Sequence, residues 1–116
     1  MKNRFRFRVW NGKEMLYNSG LGYGEGNQLI EDKGHTIMQC TGLKVNGKLL
    51  FEGDIVFVKD RNEYFVVVWK ENFAEFWLVN IYKIDEAANI LFGSDNREIV
   101  GNIYENKDIL EKQNEK

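Results

Sequence analysis

Met38-Gln39-Cys40-Thr41-Gly42-Leu43-Lys44-Val45-Asn46-Gly47-Lys48-Leu49-Leu50-Phe51-Glu52-Gly53-Asp54-Ile55-Val56-Phe57-Val58 is the stretch from which the fold can be read. Asn46-Gly47 lies between two runs of strand-forming residues, and both residue types tolerate the positive φ angles of a tight hairpin turn. Gly53-Asp54 supplies a second bend, because Asp bonds nearby backbone N–H groups there. Ile55-Val56-Phe57-Val58 then reads as a buried strand, since branched and aromatic side chains suit a pleated, covered surface. The stretch predicts successive antiparallel strands joined by tight turns.

Downstream the same grammar continues. Asp60-Arg61-Asn62-Glu63 turns the chain into Tyr64-Phe65-Val66-Val67-Val68-Trp69, and Lys70-Glu71-Asn72 is a polar break before a strand over Phe73 to Ile84. Trp69, Phe76 and Trp77 read as core, as does Leu78. Neighbours on a strand point to opposite faces, so one of Phe76 and Trp77 faces outward, where a large ring marks an interface. A meander of short strands removes its open edges by curling into a small barrel. Asp85 suits the cap of a short helix through Glu86 to Phe92, stopped by Gly93. Ile99 to Tyr104 reads as the last strand, and Asn106 as the cap of a terminal helical turn carrying Ile109 and Leu110.

Upstream, Arg4, Arg6 and Arg8 alternate with Phe5, Phe7 and Val9, which places three guanidinium groups on one face of a strand and apolar groups on the other. Trp10-Asn11-Gly12 turns this strand toward Met15-Leu16-Tyr17 as a hairpin. Gly20, Gly22, Gly24 and Gly26 mark a permissive loop. A phosphate cradle would need a Lys-Ser/Thr and a following helix, and neither is present.

Composition narrows the function. The 116 residues suit one domain, divided into an N-terminal hairpin and loop (1–36), a barrel-like meander (37–84), and a short helix, last strand and polar tail (85–116). A formal charge of -2 lacks the positive field of a general nucleic-acid binder. No apolar run approaches membrane-spanning length, so a cytoplasmic protein without a membrane partner is expected. One cysteine, Cys40, and one histidine, His35, are too few for a structural zinc site, and no cofactor is implied.

No side-chain set commands a catalytic reading. Glu52 and Asp54 would share a face of a regular strand, as an acid/base or metal pair does, but the bend explains them more simply; a buried arginine pairing with Glu52 is a further alternative. Asp95 with Glu105-Asn106-Lys107 has the loose spacing of a metal-dependent nuclease, a spacing that recurs by chance. His35 has no nucleophile or carboxylate at a telling distance in sequence, and a surface loop residue is expected. The Arg4, Arg6, Arg8 face, with Trp10 and Tyr17 able to stack on bases, is the best candidate for contact with an anion or nucleic acid. A solvated strand face blunted by charge is the plainer account.

Several blocks together resemble the YopX family of phage and prophage proteins: Arg6 to Trp10, Met38-Gln39 with Thr41-Gly42-Leu43-Lys44, Asn46-Gly47-Lys48, Phe51-Glu52-Gly53-Asp54-Ile55-Val56, Val68-Trp69, and Ile99 to Asn106. Cys40 stands where an aromatic is usual, the turn between Leu43 and Asn46 looks one residue shorter, and Lys107 replaces a common proline. The resemblance implies a mostly β fold, a small antiparallel SH3-like barrel or roll with an N-terminal hairpin and one or two short helices. It implies a phage or prophage gene and no assigned activity. It makes Thr41, Gly42, Leu43, Asn46, Gly47, Glu52, Gly53, Asp54, Gly101 and Asn102 structural motif positions. The expected protein is a non-enzymatic interaction module of the bacterial host cytoplasm that binds a protein partner or a second copy of itself. Nucleic-acid binding through the arginine strand is the alternative.

Overall fold

The computed structural model describes residues 6–17, 36–83, 85–90 and 96–114. Arg4, the glycine-rich loop, His35 and Asp95 lie outside them. The first sheet has the order β2-β1-β3-β4, built from β1 (Phe7–Trp10), β2 (Met15–Tyr17), β3 (Thr36–Val45) and β4 (Lys48–Phe51). The second has the order β8-β7-β6-β5-β9, built from β5 (Asp54–Val58), β6 (Glu63–Lys70), β7 (Glu75–Asn80), β8 (Ala87–Asn89) and β9 (Arg97–Asn102). All pairings are antiparallel. The protein is thus a mostly β roll, with a single described helix, α1 (Lys107–Asn114), after the last strand.

The two expected bends are present and have different jobs. Asn46 (φ 52°) and Gly47 (φ 83°) both take positive φ and close the β3–β4 hairpin between Val45 and Lys48. Gly53 (φ 89°) instead sends the chain from the first sheet into the second. The meander is therefore split: β3 and β4 belong to one layer, and β5 to β8 to the other. β3 pairs with β1 over Thr36 to Gln39 and with β4 from Cys40 onward, and its register shifts between Cys40 and Lys44. Gly42 (φ 90°) makes that bulge possible, and the Thr41 hydroxyl bridges it, donating to the Leu50 carbonyl (2.9 Å) and accepting from the Leu43 N–H (3.1 Å).

The layers meet on alternate side chains. Val45 and Leu50 from the first sheet pack with Val56, Val58, Phe65, Val67 and Leu78 from the second. Phe65, Val67 and Trp69 share a face of β6, opposite Asn80, Leu78 and Phe76 of β7. The inward face of Trp69 is thus as expected, but its burial is not. The ring lies at the strand end and is 41% exposed. Trp77, paired with Val68, takes the opposite face, so it is the outward member of the Phe76-Trp77 pair.

The helix expected from Glu86 to Phe92 is not formed at its start. Ala87 to Asn89 is strand β8, paired with Val79, Leu78 and Trp77. Asn80 Oδ1 accepts from the Tyr82 and Lys83 N–H groups, and this turn returns the chain antiparallel to β7. Edge pairing outweighs the helix preference of the alanines. The terminal helix does form, yet the Asn106 side chain does not cap it: Oδ1 turns back to accept from the Asn102 N–H (3.0 Å). Gly101 leaves room for that return, since a Cβ there would lie 2.3 Å from Asn106 Oδ1.

Leu78 is fully buried between the layers, and Leu78→Ala is expected to lower unfolding free energy by about 2–5 kcal/mol in urea denaturation, as cavity-forming core substitutions do.

Candidate functional site

The most densely bonded region is the Phe51–Asp54 crossing between sheets. The Glu52 N–H donates to the Gln39 carbonyl (3.0 Å) in the first sheet, and the Gly53 N–H to the Val67 carbonyl (2.9 Å) in the second. The Ile103 N–H donates to the Gly53 carbonyl (3.0 Å), tying in the end of β9. Asp54 Oδ2 accepts from the Phe51 N–H (2.7 Å), the bond expected of a Gly-Asp bend. Asp54 Oδ1 meets Arg8 Nη1 at 2.9 Å, and Arg8 Nη2 donates to the Glu52 carbonyl (2.9 Å). The guanidinium lies 4.9 Å from the centre of the Phe51 ring. Gly53 is needed beside it, because a Cβ would come 3.1 Å from Met38 Sδ as well as forcing a strained φ.

This corrects the reading of the arginine strand. Arg8 is 2% exposed, and Val9, on the other face, is also buried. β1 is interior to its sheet and covered on both faces, so strict alternation of charge and apolarity does not make an inside and an outside here. Burial pushes the Asp54 carboxyl above its ordinary range, while the charge of Arg8 and the Phe51 N–H hold that rise back. Arg6 does remain exposed. Trp10 is half-buried and stacks on Tyr104 with ring centres 5.5 Å apart.

Other motif residues bond within turns. Asn102 Oδ1 accepts from the Tyr104 and Glu105 N–H groups, and its Nδ2 donates to Glu105 Oε1 (2.8 Å), so Glu105 is engaged in closing a turn. Glu52 Oε1 lies 3.5 Å from the Gln39 N–H that donates to it, and Asp54 points into the ion pair, so Glu52 and Asp54 do not form a joint carboxylate site. Among the described residues no cluster of three or more His, Cys, Asp or Glu side chains is placed to hold a metal ion. No helix among them is long and apolar enough to cross a membrane.

Two surface features stand out. One is a cleft of about 540 Å³ where the first sheet meets β9, with Arg6, Arg8 and Lys48 facing Asp54, and Tyr17 and Phe51 forming an apolar wall. The other is an aromatic ridge wrapped around the end of the β6–β7 hairpin, with Trp69 and Phe76 on its inner face and Trp77 on its outer face. Phe73 is 61% exposed at its tip and stacks on Trp77 (5.3 Å), and Phe76 meets Trp69 edge-on (4.9 Å). A cleft of about 390 Å³ runs beside Trp69 and Phe76, walled by Gln39 and Thr41 across the layers. Sequence reading missed Phe73, assigning it to a strand. Its position directly after Lys70-Glu71-Asn72 was the signal that it sits in the turn.

The two-layer β roll is a fold shared with solved structures. The model of the YopX protein family matches residues 21–111, and the chain belongs to that family. It is similar to the crystal structure of protein EF1440 from Enterococcus faecalis, with 23% identity and a TM-score of 0.63 over 90% of this chain and 96% of that one. It is also similar to that of protein yopX from Bacillus subtilis, with 19% identity and a TM-score of 0.56 over 90% and 97% of the two chains. No curated protein matches it.

The ion pair has a testable pH signature. Arg8→Met leaves the buried Asp54 carboxylate without its counter-charge, at an expected cost of about 3–5 kcal/mol at neutral pH. With Arg8 gone, the Asp54 carboxyl rises further above its unfolded value. A raised acid contributes stability that is present below the unfolded pKa and is lost as pH rises through the folded one. Urea unfolding across pH is therefore expected to show the largest deficit at neutral pH, shrinking as pH falls toward about 4. A deficit that does not vary with pH would contradict this account.

Proposed function

We propose that this YopX-family chain is a non-enzymatic phage or prophage accessory protein of the bacterial cytoplasm, and that it binds a protein partner through the aromatic ridge of the β6–β7 hairpin. The observation that carries the reading is the exposure of Phe73 and Trp69 at one hairpin end, each propped by a second ring. Rings held by stacking lose little freedom on binding, and such aromatics dominate interface energies. Ala74, next to Phe73, has φ 52°, a strained value for a residue with a side chain, and a strained turn that displays an aromatic is a sign of function. The cleft beside Trp69 and Phe76 would take an apolar anchor from the partner. Bacterial relatives support the bacterial setting.

Co-purification from host cells with the parent chain and with a Trp69→Ala, Phe73→Ala variant tests the proposal. A phage or host protein recovered with the parent is expected to bind the variant at least about 30-fold more weakly, the loss of a hot spot of about 2 kcal/mol. Sedimentation of both chains at micromolar concentration identifies the case in which the partner is a second copy. A monomer that recovers no protein overturns the proposal.

A further inference from the structure

The cleft between β1, β4 and β9 uses none of the aromatic ridge and has a different chemistry. Its charged lining is Arg6, Arg8 and Lys48 against Asp54 alone. Asp54 is already matched by Arg8 and the Phe51 N–H, which leaves Arg6 and Lys48 in excess. Both are exposed, and neither joins an ion pair among the described residues. Arg8 Nε is a buried donor with no acceptor, although the other two nitrogens of the guanidinium are bonded. Its N–H is closed to solvent, so the charge open to a ligand in the cleft is that of Arg6 and Lys48. This local excess of positive charge stands in a chain whose formal charge is -2.

We infer that the cleft is a binding site for a small dianionic ligand of the phosphate-ester class. A dianion matches the two uncompensated cations, whereas a monoanion leaves one of them unmatched. Phosphate oxygens offer several acceptors at once, enough for Arg6 and Lys48 together. The edge-on Tyr17–Phe51 pair, 5.8 Å between ring centres, gives the organic part of the ester an apolar wall. A volume of about 540 Å³ falls within the roughly 300–1,000 Å³ typical of small-molecule sites. Arg8 is withdrawn into the sheet junction, so the basic groups form a pocket rather than the continuous track that a nucleic-acid backbone follows.

Titration of the isotope-labelled full chain with phenyl phosphate, near pH 7.5 where the ester is dianionic, tests the inference. Saturable amide shifts are expected in Lys48 to Phe51 and Ile99 to Asn102. Arg6→Ala and Lys48→Ala replace exposed side chains, so unfolding curves should match the parent while affinity falls about tenfold for each. Benzoate, with the same ring and one charge, is expected to bind more weakly. Shifts that fail to saturate, that persist unchanged in the variants, or that sodium chloride of equal ionic strength reproduces would overturn the inference. Equal affinity for benzoate would overturn the dianion class, and much tighter binding of a single-stranded oligonucleotide would overturn the small-ligand assignment.

Discussion

The Arg8–Asp54 ion pair sits at the one place where the described chain steps directly from the four-stranded sheet to the five-stranded one. Both groups are removed from water, and neither is tolerable there alone. Each therefore requires the other's strand in place. β1 cannot dock correctly without the start of β5, and the Phe51–Asp54 crossing cannot close without β1. Apolar burial would hold two sheets together in several relative positions. A charge pair with directional bonds at 2.9 Å accepts few of them.

Much of the family pattern can be understood as the apparatus of this junction. Gly53 makes the bend and clears space for Met38 and Arg8. Gly101 and Asn102 set the end of β9, from which Ile103 bonds back to Gly53. Thr41 and Gly42 carry β3 through its bulge so that one strand serves β1 and β4 in turn. These positions are polar or glycine in a β protein because the backbone must leave regular geometry there with its hydrogen bonds still made.

With the junction locked, the hairpin ends and the seam between layers are the places where surface chemistry can vary without loss of the fold. The ridge of Trp69, Phe73, Phe76 and Trp77 is supported by stacking on the far end of β6 and β7. The seam beside β9 brings together Arg6, just before β1, and Lys48, at the start of β4, from parts of the chain distant in sequence. One surface is aromatic and the other basic, and each joins strand residues to a neighbour outside the strands, Phe73 in the β6–β7 turn and Arg6 just before β1.

Local sequence determined a good deal. Asn46-Gly47 and Gly53-Asp54 announce their bends because the required φ angles and the Asp-to-backbone bond depend only on near neighbours. The strand pattern likewise assigns Leu78 to the inner face, and the sequence blocks identify the family. Tertiary structure decided the rest. Period-two alternation says that Arg8 and Val9 face opposite ways, but not that both faces of β1 are covered. It orients Trp69 inward without showing that the ring stays partly exposed beside an open cleft. Ala87 to Asn89 became a strand because the edge of β7 was available to pair with. Burial depends on what the remainder of the chain places opposite a residue, and that information is not carried by the residue's own neighbourhood.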